Sequence, residues 1–187
     1  MREKRDRKPR RITPDYLERA ALFYLQRYSS SSGNLKSVLQ RKVWSAARES
    51  EIDQEEARGW IDDVVAKIVG AGLLDDRKFA ETRVLSLRRS GESARSIRMK
   101  LAAKGVEGDL VEHALQQDEP ENDELTAAIA YARKRRLGPF HTSGKREERQ
   151  EKDLAALARR GFRYETCRLV IEARDERALE VLLDERF

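Results

Sequence analysis

The sequence predicts an all-α fold, three tandem three-helix modules in an elongated, curved array. Three observations carry this. Apolar residues recur at spacings of three and four along most of the chain. Alternating Val, Ile, Thr and Tyr between turns, the signature of a strand, is nearly absent. A pattern of helix followed by glycine repeats along the chain. Composition agrees: 39% of the 187 residues are apolar and 39% charged, with mean hydropathy −0.78. That suits small helical units with much exposed surface better than one large globule. It also excludes a membrane span, which needs about 18 successive apolar residues.

Each element has its own signals. Thr13-Pro14-Asp15 offers an N-cap, a proline at N1 and an acid at N2. The helix it opens carries Leu17, Ala20, Ala21, Tyr24, Leu25 and Tyr28 on one face and should end near Ser29. Ser29–Ser32 with Gly33 and Asn34 is a turn that restarts a helix, with Leu35, Val38, Leu39 and Val43 inward. Asp53-Gln54-Glu55-Glu56 reads as a capping box. Trp60, Ile61, Val64, Val65 and Ile68 follow on one face, and Gly70 and Gly72 stop the helix. Asp75 or Asp76 caps the next helix, whose face is Phe79, Ala80, Val84 and Leu87. Ser93 caps a short helix carrying Ile97 and Leu101 that ends at Gly105. Leu110, Val111, Ala114 and Leu115 make another. A further helix begins near Leu125 with Ala128, Ile129 and Ala132, and Gly138-Pro139 breaks it. Lys145–Lys152 leads into Leu154 and Leu157, stopping at Gly161. Phe162, Cys167, Val170 and Ile171 supply the next face, and Leu179, Leu182 and Leu183 suit one more short helix.

The repeat lies in Ile97-x-x-x-Leu101-x-x-Lys104-Gly105 and Leu157-x-x-Arg160-Gly161. An apolar residue follows each glycine, Val106 or Phe162. Leu35-x-x-x-Leu39-x-x-Lys42 keeps the pattern, but Val43 holds the glycine position. These positions stand 62 and 56 residues apart, a period that means tandem three-helix units. The expected organisation is a disordered basic tail (1–12), modules at 13–73, 74–118 and 125–175, an acidic linker (119–124), and a tail (176–187) able to form a helix.

Enzyme chemistry finds no foothold. Adjacent Asp75 and Asp76 diverge at a helix start, where an N-cap and a first-turn acid explain them. Asp62-Asp63 reads as a solvated face. His113 and His141 lack zinc-type spacing, so no metal is expected and both read as surface or boundary residues. Cys167 lies in an apolar stretch and reads as core. A lone cysteine excludes an internal disulfide and fits a reducing cytosol. No phosphate-binding glycine loop for ATP is present, and no cofactor is implied. Met1–Arg11 has no apolar run after it and is not a secretory signal.

What functional signal there is lies in charge. The net charge is only +5, but it is segregated. Residues 1–11 carry seven basic and two acidic residues, and 77–104 nine and two. Residues 106–124 carry eight acidic and no basic ones, and 133–160 ten basic and four acidic. Such blocks suit a polyanion or a partner of mixed charge, or are solvated faces laced by i,i+4 pairs. Arg95 and Arg98 share a helix face, and arginine suits bidentate grip of carboxylate or phosphate. Arg133 to Arg136 wind round more than half a helix, so at least one should lay its stem against the core. The candidate partner- or DNA-binding residues are Arg83, Arg88, Arg89, Arg95, Arg98, Lys100 and Lys104, with Arg133, Lys134, Arg135, Arg136, Arg159 and Arg160. Aromatic residues are few, at 6%, and fit helical cores, so reading of base sequence is not expected.

Gly72-Leu73-Leu74-Asp75-Asp76-x-x-Phe79-Ala80, the turn Arg88-Arg89-Ser90-Gly91, and Ile97-x-x-x-Leu101-x-x-Lys104-Gly105-Val106 together resemble the middle module of the RecX family, regulators of the RecA recombinase. Tyr28-Ser29 before Leu35 resembles its first module and Leu157-x-x-Arg160-Gly161-Phe162 its third, so the resemblance spans roughly 14–174. The chain departs from the family at Val43 and at Asp153, where an aliphatic residue would precede Leu157 by four. The resemblance implies a non-enzymatic, cytoplasmic, monomeric regulator. It would bind the RecA–single-stranded DNA filament and inhibit its extension, ATPase and strand exchange. Recombination and the SOS response would be modulated negatively. Single-stranded DNA would be met weakly or indirectly, and no membrane is involved. The alternative is a helical DNA-binding protein or transcriptional regulator acting on bare nucleic acid.

Overall fold

The computed structural model describes residues 12–47, 52–117, 124–142 and 146–185. Residues 1–11 of the expected tail and 119–123 of the expected linker therefore lie outside the described residues. Ile12, assigned to the tail, is instead core, 6% exposed. It stands just before the N-cap Thr13, and both it and Leu17 are buried in one cluster, as a hydrophobic staple requires. The described chain is all-α. Its helices are α1 Pro14–Leu25, α2 Ser32–Ala47, α3 Gln54–Gly70, α4 Asp76–Arg89, α5 Ala94–Ala102, α6 Gly108–Gln116, α7 Glu124–Arg135, α8 Arg146–Arg160, α9 Tyr164–Glu172 and α10 Glu176–Asp184. They fall into two compact units, Met1–Phe79 with Lys104–Val106, and Ala80–Ala103 with Glu107–Phe187.

In the first unit α3 packs against α1 and α2. Leu17, Leu35, Leu39, Val43, Ile61, Val65 and Ile68 close its core. Thr13 Oγ1 accepts from Tyr16 N at 3.2 Å, and Asp53 caps α3 by accepting from Glu55 N at 2.8 Å. α1 stops at Leu25, four residues before the expected Ser29, because Ser30 and Ser31 are engaged in starting α2. Ser30 Oγ accepts from Asn34 Nδ2 at 2.8 Å, and Ser31 Oγ accepts from Asn34 N at 3.1 Å. The Asp75-Asp76 pair divides its work. Asp75 caps its own helix, accepting from Lys78 N at 3.0 Å. Asp76 reaches α2 instead, accepting from Ser32 N at 2.7 Å and Ser32 Oγ at 2.5 Å.

One joint here is built on the start of α2. Ser31 Oγ, already capping that helix, donates its proton to the Lys104 carbonyl. Gly33 then faces Gly105 so closely that a Cβ on Gly33 would lie 2.6 Å from the Gly105 oxygen. Side chains are excluded on both sides. Val43 follows from the same geometry: it lies inside α2, 1% exposed, on a helix that runs straight on to Ala47, so it needs no glycine.

In the second unit α7, α8, α9 and the 3₁₀ turn Gly138–Phe140 enclose Leu125, Ala128, Leu157, Phe162, Cys167, Val170 and Ile171. Leu179 of α10 joins them at 1% exposure, so the C-terminal stretch is helical. The joint recurs at α5. Ser93 Oγ accepts from Ser96 N at 3.2 Å and donates to the Arg160 carbonyl at 2.7 Å. A Cβ on Gly161 would come within 3.0 Å of Ser93 Oγ and 3.1 Å of Arg95 Cβ. Asp153 is buried, and its aliphatic-to-acid change has a purpose. Its Oδ2 accepts from Gly138 N at 2.9 Å and meets His141 Nε2 at 2.6 Å. His141, read as a surface or boundary residue, is thereby drawn inward, its side chain 7% exposed.

Helix ends share one solution. After α3, α4, α7 and α8 a residue of positive φ turns the chain back: Gly72 (70°), Gly91 (84°), Arg136 (56°) and Gly161 (92°). At each, the next N–H returns to a carbonyl five residues earlier: Leu73 to Ile68, Glu92 to Leu87, Leu137 to Ala132, Phe162 to Leu157. This is the Schellman motif. Arg136 alone of the four bears a Cβ there, at a cost of about 1 kcal/mol. Arg136→Gly should therefore raise the melting temperature by about 2–4 °C. Gly33→Ala should lower stability by about 1–3 kcal/mol, because Gly105 backbone has nowhere to retreat. Thermal and urea unfolding followed by circular dichroism check both.

Candidate functional site

The thirteen predicted basic residues separate into four classes. Arg83, Arg89, Arg95, Lys134, Arg135, Arg136 and Arg159 are exposed, and none pairs with a described residue. Lys104 is exposed and reaches Asn34 Oδ1 at 3.3 Å. Arg98, Lys100, Arg133 and Arg160 are engaged within the fold. Arg88 is buried, 7% exposed. It shares the buried side of α4 with Val84 and Leu87.

Glu92 explains Lys100 and Arg160. It sits between the end of α4 and the cap of α5, 5% exposed. It accepts from Ser96 Oγ at 2.5 Å, from Lys100 Nζ at 2.5 Å and from Arg160 Nη2. Burial alone would raise its carboxyl pKa. Hydrogen bonds from Lys100 and Ser96 and the positive charges of Arg160 and Lys100 outweigh burial and hold it below the ordinary glutamate value. Arg160 also lies over the Tyr131 ring at 5.4 Å. Two residues that read as partner-binding in sequence are thus bound to a buried carboxylate.

An open groove of about 560 Å³ lies in the second unit. Its lining includes Arg88, Arg95, Arg98, Arg163, Glu112 and Glu124. Arg98 forks onto Glu112, Nε to Oε1 at 2.6 Å and Nη2 to Oε2 at 2.9 Å. That hydrogen bond raises the Arg98 pKa and lowers that of Glu112. Glu124 accepts from Arg163 N at 2.7 Å and Arg163 Nε at 2.5 Å. Arg95 and Arg98 both line this groove, as their i,i+3 spacing implied. The sequence reading missed Arg163, Glu112 and Glu124. It read Ser31 and Ser93 as helix starts but missed their bonds to the carbonyls of Lys104 and Arg160, although Ser31-x-x-x-Leu35-x-x-x-Leu39 and Ser93-x-x-x-Ile97-x-x-x-Leu101 share one pattern.

The second basic cluster is simpler. Arg133, Lys134 and Arg135 end α7 and Arg136 follows it, all four exposed. Arg133 stays exposed, with its guanidinium 5.2 Å from the Phe140 ring centre and 3.4 Å from Glu176. Lys134, Arg135 and Arg136 remain available to a partner.

No group of three or more His, Cys, Asp or Glu among the described residues is arranged to hold a metal ion. Cys167 is 0% exposed, and burial pushes its thiol up to about 11, which suits a core residue and not a nucleophile. No helix among the described residues is long and apolar enough to cross a membrane.

A model of the second three-helix domain of RecX matches residues 75–115, the stretch that carries α4, α5 and α6. The chain is 42% identical over 173 residues to Regulatory protein RecX of Myxococcus xanthus, covering 92% of each chain. The chain belongs to the RecX family. It is also 34% identical over 165 residues to Regulatory protein RecX of Agrobacterium fabrum, covering 88% of this chain and 86% of that one. The fold is similar to the crystal structure of RecX from Lactobacillus salivarius, with a TM-score of 0.60 at 20% identity, over 85% of this chain and 94% of that one. These RecX relatives carry the name of regulatory proteins.

The Glu92 cluster gives a test against pH. Its folded pKa is depressed, so its stabilisation is fully present above the ordinary value of 4.5 and is lost as pH falls through the lower, folded one. Glu92→Gln should cost about 1–3 kcal/mol at neutral pH, and the gap to wild type should narrow steadily below pH 4.5. Urea titrations across that range measure it.

Proposed function

We propose that this protein is a non-enzymatic regulator that binds the RecA–single-stranded DNA filament and limits its extension, ATPase and strand exchange. The observation that carries this is the likeness to RecX regulatory proteins along nearly the whole chain, 42% over 92% of it. Two features support it. The exposed arginines and lysines at 83, 89, 95, 104, 134, 135, 136 and 159 stand on an otherwise charge-balanced chain. The groove places arginine and glutamate side by side, which suits a partner of mixed charge, such as a protein–DNA filament, better than a bare polyanion. Lys100 and Arg160 are left out of the contact set, because Glu92 already holds them. In this reading the chain acts as a cytoplasmic monomer organised as three helical modules, contributing to DNA repair and damping the SOS response.

The exposed run Lys134, Arg135 and Arg136 favours a second reading, direct binding to bare nucleic acid. One titration separates the two. The single-strand-dependent ATPase of RecA, at physiological salt, should fall at substoichiometric protein, under conditions where bare single-stranded DNA is scarcely bound. A fall that appears only when bare DNA is saturated, with affinity dropping about 0.7 log units per log unit of salt for each phosphate contacted, would give the lead to the nucleic-acid reading.

A further inference from the structure

The groove on the second unit is not uniformly basic. Arg98 and Arg163 are already matched by Glu112 and Glu124, so those four groups form two held pairs. Arg95 differs. It leaves the first turn of α5 into the groove, it is exposed, and it pairs with no described residue. Its stem is braced against Gly161, where even a methyl group would come within 3.1 Å of Arg95 Cβ and 3.2 Å of Cδ. A braced guanidinium beside carboxylates that are already satisfied can receive one more anion, and the planar fork favours a two-oxygen acceptor.

We propose that this groove takes a glutamate or aspartate side chain from an extended segment of a partner protein, with Arg95 as its receptor. The charge pattern selects against a nucleic-acid strand. Successive phosphates along the groove would pass Glu112 and Glu124, and like charges at that range cost free energy. A peptide brings one carboxylate and lays uncharged backbone and apolar side chains along Ala94, Leu115 and Gly161. The occupant is therefore an acidic segment whose carboxylate is flanked by apolar residues. The inference deepens the filament-regulator reading and rests on it only for the partner's identity.

The test follows arginine Nε–Hε resonances of the isotope-labelled full-length chain at physiological ionic strength. It is titrated in turn with a peptide alternating leucine and glutamate, the same peptide with glutamine for glutamate, and single-stranded oligothymidylate. The glutamate peptide should shift the Arg95 resonance saturably, and the glutamine peptide should not. The oligonucleotide should move arginines 135 and 136 and leave Arg95 in place. Three results overturn the proposal: no Arg95 shift with the glutamate peptide up to millimolar concentration, an equal shift with the glutamine peptide, or a shift produced first by the oligonucleotide. Arg95→Glu is then carried into the RecA ATPase titration. About tenfold more of this variant than of wild type should be needed for the same inhibition. Equal potency would overturn the assignment of the segment to the recombinase. Failure of wild type itself to inhibit would sink the filament reading, while the peptide titration decides the groove independently.

Discussion

A serine hydroxyl has one proton and two lone pairs, and at Ser31 and Ser93 the fold uses both kinds of group at once. The oxygen accepts a backbone N–H in the first turn of the helix that the serine opens. The proton goes to the carbonyl at residue 104 or 160, the last before a glycine. The start of one helix is thereby tied to the end of another through an atom that also caps the first. The rest is forced by this. A side chain on the following residue would crowd this contact, so Gly105 and Gly161 serve the hydrogen bond as well as the positive-φ turn. Gly33 answers Gly105 for the same reason.

Charge is arranged around this joint in the second unit. Glu92, one residue before Ser93, collects Ser96, Lys100 and Arg160. The residue whose carbonyl takes the serine proton therefore also sends its guanidinium to the neighbouring carboxylate. Two interactions of different chemistry, one neutral and one ionic, hold the same contact. A buried carboxylate needs such company, since an unmatched charge there would be expelled or protonated. The arginines outside this arrangement, above all Arg95 and the run after Lys134, are the ones left facing solvent.

Much of this was legible in the sequence, and the rest was hidden for physical reasons. Helix starts at Thr13, Asp53 and Ser93 and stops at Gly72, Gly91 and Gly161 were readable because caps and positive-φ glycines are local choices. Core positions such as Leu35, Ile97 and Leu157 followed from helical spacing. Pairing across elements was not readable. Arg88, Arg89 and Arg95 look alike as letters, yet one is buried, and only the helical phase and the neighbours decide which. Asp76 looked like a first-turn acid and serves another helix, because its partner Ser32 lies 44 positions away in sequence. His141 looked peripheral until Asp153 drew it in. The groove's carboxylates went unseen for the same reason: each stands on a different element from the arginine it holds, 14 or 39 positions away.

The joint has a consequence for how such chains can diverge. Its acceptor is a main-chain oxygen, which every residue possesses. The identity of the residue at 104 or 160 is therefore invisible to the hydrogen bond, while the serine and the glycine beside it are not. Those two side chains are released from the duty of holding the helices together. At 104 the lysine points outward, and at 160 the arginine has been recruited to a carboxylate. The same backbone linkage thus supports an outward side chain in one copy and an inward one in the other, and what constrains residue 160 is the carboxylate of Glu92 and not the joint.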